Sequence, residues 1–339
     1  MPNYYVFLKY TPFIPAGSST ITIHIFTSRM KPYSQPALLF NRHLETIYPA
    51  IFRKVLLEPY QRERISTLDS DFIDLDWLKQ SSQNLVIISH GLEGNSQRAY
   101  MKGMAKVFYE QGFDIMAWNY RGCSNEMNKQ LRFYHSGATD DLSFVVDHAS
   151  LQYDNVFLIG FSLGGNLTLK YLGEIGSKNP KIKKAVTFSV PMDLHKSCLQ
   201  MSQPYNWSYE QRFLKSLKAK ITQKSKAQPA LSIKGLNQIR TLMEFDDLFT
   251  APIHGFKSAI DYYTQSSSIH FLSKIKTPTL IVNAKNDPFL SKECYPDVNS
   301  FPAITFERPE RGGHVGFSLF NQNGLYWSEL RALEYIVSK

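Results

Sequence analysis

The stretch "NVFLIGFSLGGNLTLKYLGEIG", residues 155–176, decides the fold. Its first six residues, Asn155 to Gly160, are apolar nearly throughout, as a strand covered on both faces should be. From Leu163 onward the apolar positions fall at helical spacing. Between the two lies Gly160-Phe161-Ser162-Leu163-Gly164, a serine flanked by glycines where strand gives way to helix. A nucleophilic serine needs an exposed hydroxyl, a base within hydrogen-bond reach and donors aimed at the oxyanion. Glycines on both sides allow the tight turn that lifts such a hydroxyl to the carboxyl edge of a sheet. A G-x-S-x-G pattern arises by chance in roughly one chain in ten of this length. The strand before it and the helix after it make Ser162 a candidate nucleophile.

Working outward, further β-rich apolar runs recur at Asn84–Ser89, Phe113–Asn119, Lys184–Val190, Thr279–Ala284 and Ala303–Arg308. Helical spacing separates them, as in "RAYMKGMAKVFYEQG", which ends at Gly112, and "TDDLSFVVDHA", whose Thr139 and Asp140 suit a helix start. Strand and helix alternate, which predicts a mostly parallel, doubly wound α/β sheet of about eight strands. Residues 193–270 break the rhythm, being long, polar and helix-like, and are expected to form an inserted helical cap. The core is then 35–192 with 271–339, preceded by an extension, 1–34. Within the extension "STITIHIFTS" alternates like an edge strand, and Met30 offers an alternative start.

A base should follow the serine, because sheets of this kind order their triad serine, acid, histidine. "NAKNDPF" places Asp287 just after one strand, and "RGGHVGF" places His314 just after the next. Both then emerge at the edge that carries Ser162. In this reading His314 takes the serine proton and Asp287 holds the imidazole in the productive tautomer. Alone, Asp287 could be only a turn starter before Pro288, and His314 is one of nine histidines. It is their joint placement and order that favours catalysis. The loop "HGLEGN" after the strand Asn84–Ser89 supplies one oxyanion donor, the Leu92 N–H, and Leu163, next after the serine, the other. His90 is read as shaping this loop.

The 339 residues are 43% hydrophobic and 20% charged, enough for one large core, with a formal charge of +9. The excess is local: Arg212, Lys215, Lys218, Lys220, Lys224, Lys226, Lys234 and Arg240 fall between Glu210 and Glu244 with no acidic residue among them, and without these eight the balance is +1. No interleaved aromatics of the base-stacking kind accompany them, so nucleic acid is not an expected partner. The tract reads as a solvated helical face, and otherwise as a contact for an anionic membrane surface. Cys123, Cys198 and Cys294 show no paired or metal-ligand spacing, and no run is long and apolar enough to span a membrane. A cytoplasmic setting is expected.

Taken together, "SHGLEGNS", "NYRGCSNE", "YHSGATDD", "GFSLGGN", "DDLFTAPIHGF", "AIDYYTQSS", "NAKNDPF" and "GGHVGF" resemble the YheT-like α/β-hydrolases, a branch of esterases related to plant embryogenesis-associated hydrolases and animal ABHD lipid hydrolases. The likeness runs from about Gln35 to the C-terminus. It implies an α/β-hydrolase fold, Ser162 as nucleophile, Asp287 as acid and His314 as base. It also implies a short-chain or lipid carboxylic ester as substrate, with no metal and no organic cofactor. Acyl transfer to an alcohol, a lipase acting on glycerolipids and a non-catalytic binding role are the alternatives on the same fold. His135 and Asp140 show the H-x4-D spacing that some relatives share with glycerolipid acyltransferases, although Asp140 equally suits a helix N-terminus. Cys123 reads as a packed thiol.

Overall fold

The computed structural model describes residues 30–338, so the expected edge strand at 19–28 lies outside the described residues. Eight strands form one sheet: β1 (Gln61–Ser66), β2 (Phe72–Leu78), β3 (Asn84–Ser89), β4 (Asp114–Asn119), β5 (Asn155–Phe161), β6 (Ile182–Phe188), β7 (Thr279–Val282) and β8 (Ile304–Glu307). Their order across the sheet is β1-β2-β4-β3-β5-β6-β7-β8. The hairpin β1–β2 and the pair β2–β4 are antiparallel, and every other pairing is parallel.

The six apolar runs of the sequence become β3 to β8. Strand β3 shows why such runs are continuous: Leu85, Val86, Ile87 and Ile88 are all fully buried. Leu85 and Ile87 join the cluster on one face, with Leu142, Val145 and Leu167; Val86 and Ile88 join the cluster on the other, with Met104, Phe108 and Leu333. Successive side chains point to opposite faces, and helices cover both. The first face carries α3 (Thr139–Ser150) and α4 (Leu163–Ile175); the second carries α2 (Ala99–Tyr109) and α10 (Trp327–Val337). Each fully buried Leu or Ile contributes about 1.5–3 kcal/mol of transfer free energy.

Strands β1 and β2 were not legible as apolar runs, because they carry paired charges. In their register Arg62 faces Asp76 and Arg64 faces Asp74. Both guanidinium groups grip their carboxylates with two bonds each, at 2.7–2.9 Å. The Asp74 and Asp76 side chains are thereby buried.

A short helix, α1 (Arg42–Phe52), precedes the sheet, its first turn capped by the Asn41 side chain. Between β6 and β7 the chain inserts α5 (Leu194–Met201), α6 (Trp207–Ala227), α7 (Leu242–Phe245), α8 (Ala251–Ile253) and α9 (Ala259–Ser266). This insertion has an apolar cluster of its own, built around Leu214, Ile221, Phe245 and Phe249, to which Phe133 and Phe289 of the sheet layer belong. It is thus seated on the carboxyl edge of the sheet.

Candidate active site

Ser162 sits between β5 and α4 with φ +54° and ψ −119°. Left-handed backbone is strained for a residue with a Cβ, and an outlier of this kind persists only where its surroundings over-determine it. The flanking glycines have a different task from the one read in the sequence, since neither takes a positive φ. A Cβ on Gly160 would meet the Gly164 carbonyl oxygen at 2.5 Å, and one on Gly164 would meet the Ser89 and His90 carbonyl oxygens at 2.4 and 2.5 Å. They permit close approach of backbones, while the serine itself bears the turn.

His314 and Asp287 both reach Ser162. The His314 Nε2 lies 2.9 Å from Ser162 Oγ, and its Nδ1 lies 2.9 and 3.1 Å from the two Asp287 oxygens. A carboxylate only accepts, so Nδ1 carries the proton and Nε2 accepts from the serine hydroxyl. The Asp287 side chain is fully buried, and Asp287 Oδ1 also accepts the Phe289 N–H at 2.9 Å. Phe289 packs against the imidazole with ring centroids 4.3 Å apart.

The histidine loop is held by residues that sequence reasoning missed. Glu45 on α1, 1% exposed, accepts from the Gly312 N–H, the Asn286 amide and the Arg311 guanidinium. Thr46 Oγ1 accepts the His314 N–H, and Asn286 Oδ1 accepts the Gly313 N–H. A carboxylate on an otherwise partly apolar helical segment was the one available signal. Its partners, however, are more than 240 residues away along the chain.

The loop after β3 lies against the serine: a Cβ on Gly91 would come within 3.3 Å of Ser162 Cβ. Gly91 to Gly94 form a turn closed by the Gly94 N–H donating to Gly91 O at 3.0 Å. Among the described residues neither the Leu92 N–H nor the Leu163 N–H has an acceptor, and Leu92, Leu163, Ser162 and His314 all line one cavity of about 420 Å³. His90 is fully buried and shapes the loop: its ring bonds the Gly91 carbonyl at 2.8 Å and accepts the Tyr120 N–H at 3.3 Å. Burial pushes its pKa down to about 3, so it stays neutral.

The insertion closes the cavity with Phe213, Leu217, Phe245, Phe249 and Ile253, among others. Asp246, which also lines the cavity, accepts from Tyr263 Oη and Thr250 Oγ1, both 2.6 Å away. Burial outweighs these bonds and raises its carboxyl to about 6.

The basic tract departs from the solvated face expected of it. Arg212, Lys215, Lys226, Lys234 and Arg240 are exposed, but Lys224 is fully buried and Lys220 mostly so. Lys224 Nζ donates to Asn128 O, Asn128 Oδ1 and Gln130 O, which match the three protons of an ammonium. Burial nevertheless pulls its pKa down to about 8, against the opposing pull of Asp71. Lys220 pairs with Glu93 at 2.8 Å and also donates to Cys123 Sγ at 3.1 Å. Both lysines are helical residues whose stems cross apolar surface, but their heads turn toward the core.

The H-x4-D spacing is not assembled into a dyad. Asp140 is exposed and pairs with Arg132 at 2.8 Å, while Asp141 beside it is buried and grips Arg121. His135 lines the cavity, its Nδ1 accepting the Gly137 N–H at 3.2 Å. Cys123 is a buried free thiol, pushed up to about 11 by burial and thus protonated. Among the described residues no three His, Cys, Asp or Glu side chains gather as a metal site, and no helix is long and apolar enough to cross a membrane.

A mostly parallel sheet that brings a strained serine, a histidine and a buried aspartate together at its carboxyl edge is the architecture of the α/β-hydrolases. Comparison with known proteins agrees. The family model described as alpha/beta hydrolase fold matches residues 84–319, and the chain belongs to that family. Within it the chain falls in the YheT-like branch. It is 36% identical over 288 residues to the Escherichia coli (strain K12) protein named "Putative esterase YheT", covering 82% of this chain and 84% of that one. It is 30% identical over 302 residues to mouse Phospholipase ABHD3, covering 80% and 73%. Among solved structures, the Pyrococcus furiosus esterase Pf2001 superposes with a TM-score of 0.53 at 17% identity, over 84% of this chain and 96% of that one, a likeness of fold.

Proposed function

We propose that the protein hydrolyses carboxylic esters through an acyl-enzyme on Ser162. The observation that carries this is the unbroken line of hydrogen bonds from Ser162 Oγ through His314 to buried Asp287, beside two N–H groups without acceptors. Ser162 Oγ attacks the ester carbonyl carbon as His314 Nε2 takes its proton. The oxyanion that forms is met by the Leu92 and Leu163 N–H groups, and loss of one such donor typically costs about 3 kcal/mol of transition-state stabilisation. The intermediate collapses, the alcohol leaves with the proton from His314, and the acyl group stays on Ser162. Water, deprotonated by His314, then attacks the acyl-enzyme, releasing the carboxylic acid and restoring the serine. Asp287 keeps the imidazole in the required tautomer throughout.

Substrates of this reading are short-chain acyl or lipid esters, because aromatic and aliphatic side chains of the insertion line the cavity. The names of the relatives, an esterase and a phospholipase, support the same class. Residues 193–270 act as the cap over this cavity. The test is hydrolysis of p-nitrophenyl butyrate: Ser162→Ala should lower kcat by about 10⁴-fold or more with thermal stability unchanged. Wild-type turnover in that variant would reject the assignment.

A further inference from the structure

Glu93 occupies the position after Leu92 with φ +53°, a left-handed backbone that a residue with a Cβ adopts only under constraint. The constraint is visible. Its N–H donates to Tyr134 Oη at 2.9 Å, and Tyr134 Oη in turn donates to Glu93 Oε1 at 2.8 Å. Lys220 Nζ donates to the same oxygen at 2.8 Å, and Ser216 Oγ to the other. The Glu93 side chain is only 6% exposed. Two of these grips, Ser216 and Lys220, stand one turn apart on α6 of the insertion, whereas the turn they hold belongs to the sheet. Burial disfavours the Lys220 charge, but Cys123 and Glu93 outweigh it and keep the ammonium protonated.

We propose that Lys220 and Ser216 are positioning residues: by clamping Glu93 they hold the Gly91–Gly94 turn in the conformation that aims the Leu92 N–H at the oxyanion. The oxyanion hole is then complete only when α6 is seated. Cap and hole are thereby coupled through one carboxylate. This rests on the ester-hydrolase reading above, and it adds a part of the hole that lies outside the sheet.

The test uses p-nitrophenyl butyrate kinetics on the full chain. Lys220→Met should lower kcat by about tenfold or more, short of the roughly 10²–10³-fold of a lost oxyanion donor, with KM little changed. Glu93→Gly adopts the left-handed turn without a clamp, so it should keep at least tenfold more kcat than Glu93→Ala. In the Glu93→Gly background Lys220→Met should have no further effect on kcat. If Lys220→Met is too unstable to assay, Ser216→Ala takes its place in the same cycle. Three results would overturn the proposal: an unchanged kcat in the clamp variants, a loss confined to KM, or an equal loss in the Glu93→Gly background. An inactive wild type would instead sink the ester-hydrolase reading, so the two failures are distinguishable.

Discussion

The site has two halves of different origin, the strand ends that present Ser162, Asp287 and His314, and the inner face of α6 that presents Ser216, Lys220 and Lys224. The first half is set by scaffold geometry: Ser162 directly follows the buried β5, and Asp287 and His314 stand in the loops that leave β7 and β8 at the same edge. The second half is set by long-range pairing. Lys220 meets Glu93 across 127 residues and Lys224 meets Asn128 across 96. The proposed nucleophile, base and acid sit on the strand-end half, and the polar network of the other half ties the insertion to it. Catalytic groups need fixed geometry, whereas a cap has to be joined to the sheet without burying unpaired charge.

The two halves should therefore fail in different ways when altered. The largest effect belongs to the sheet half. Asp287→Asn keeps the shape but presents an amide to His314 Nδ1, favouring the wrong tautomer, and should lower kcat by about 10³–10⁴-fold with little change in stability. Ester-hydrolysis kinetics alongside thermal unfolding would check it, and a loss of both together would erase the distinction. On the other half, Lys224→Met leaves Asn128 O and Asn128 Oδ1 without a donor and Gln130 O with only the Asn128 amide. It should cost about 3–4 kcal/mol of stability, read as a lowered urea midpoint, with a smaller effect on kcat.

The smallest effect tests a carboxyl that lines the cavity, through pH. Asp246 has its carboxyl raised from 3.8 to about 6, so its burial penalty is absent below pH 3.8 and complete above about pH 6. The stability of the wild type should accordingly fall, through this group, as pH rises across that window. Asp246→Asn removes the dependence, and the variant should gain about 2.4 kcal/mol relative to wild type between pH 4 and pH 7 in urea unfolding. A flat difference across the window would show that Asp246 is not buried as described.

The same contrast explains what could be read in the sequence. Strands β3 to β7 were legible because strands covered on both faces are written as largely apolar runs, the half-exposed edge strand β8 from Ile304, Thr305 and Phe306, and the serine turn because two glycines must allow backbones to touch. Strands β1 and β2 were not, since Asp74 and Asp76 look exposed until Arg64 and Arg62 stand opposite them. Ser162, Asp287 and His314 could be named from strand ends and order alone. Glu45, Thr46, Asn286 and Glu93 could not, because each matters only through a partner that folding brings to it. The basic tract misled for the same reason: eight charges in a row read as a solvated face, yet two of them turn inward to acceptors encoded elsewhere.

Labelling the protein with a fluorophosphonate and locating the adduct by peptide mass mapping asks whether Ser162 Oγ is the nucleophile. One adduct is expected, on the peptide bearing Ser162, abolished in Ser162→Ala. An adduct on any other residue, or an unlabelled wild type, would contradict it.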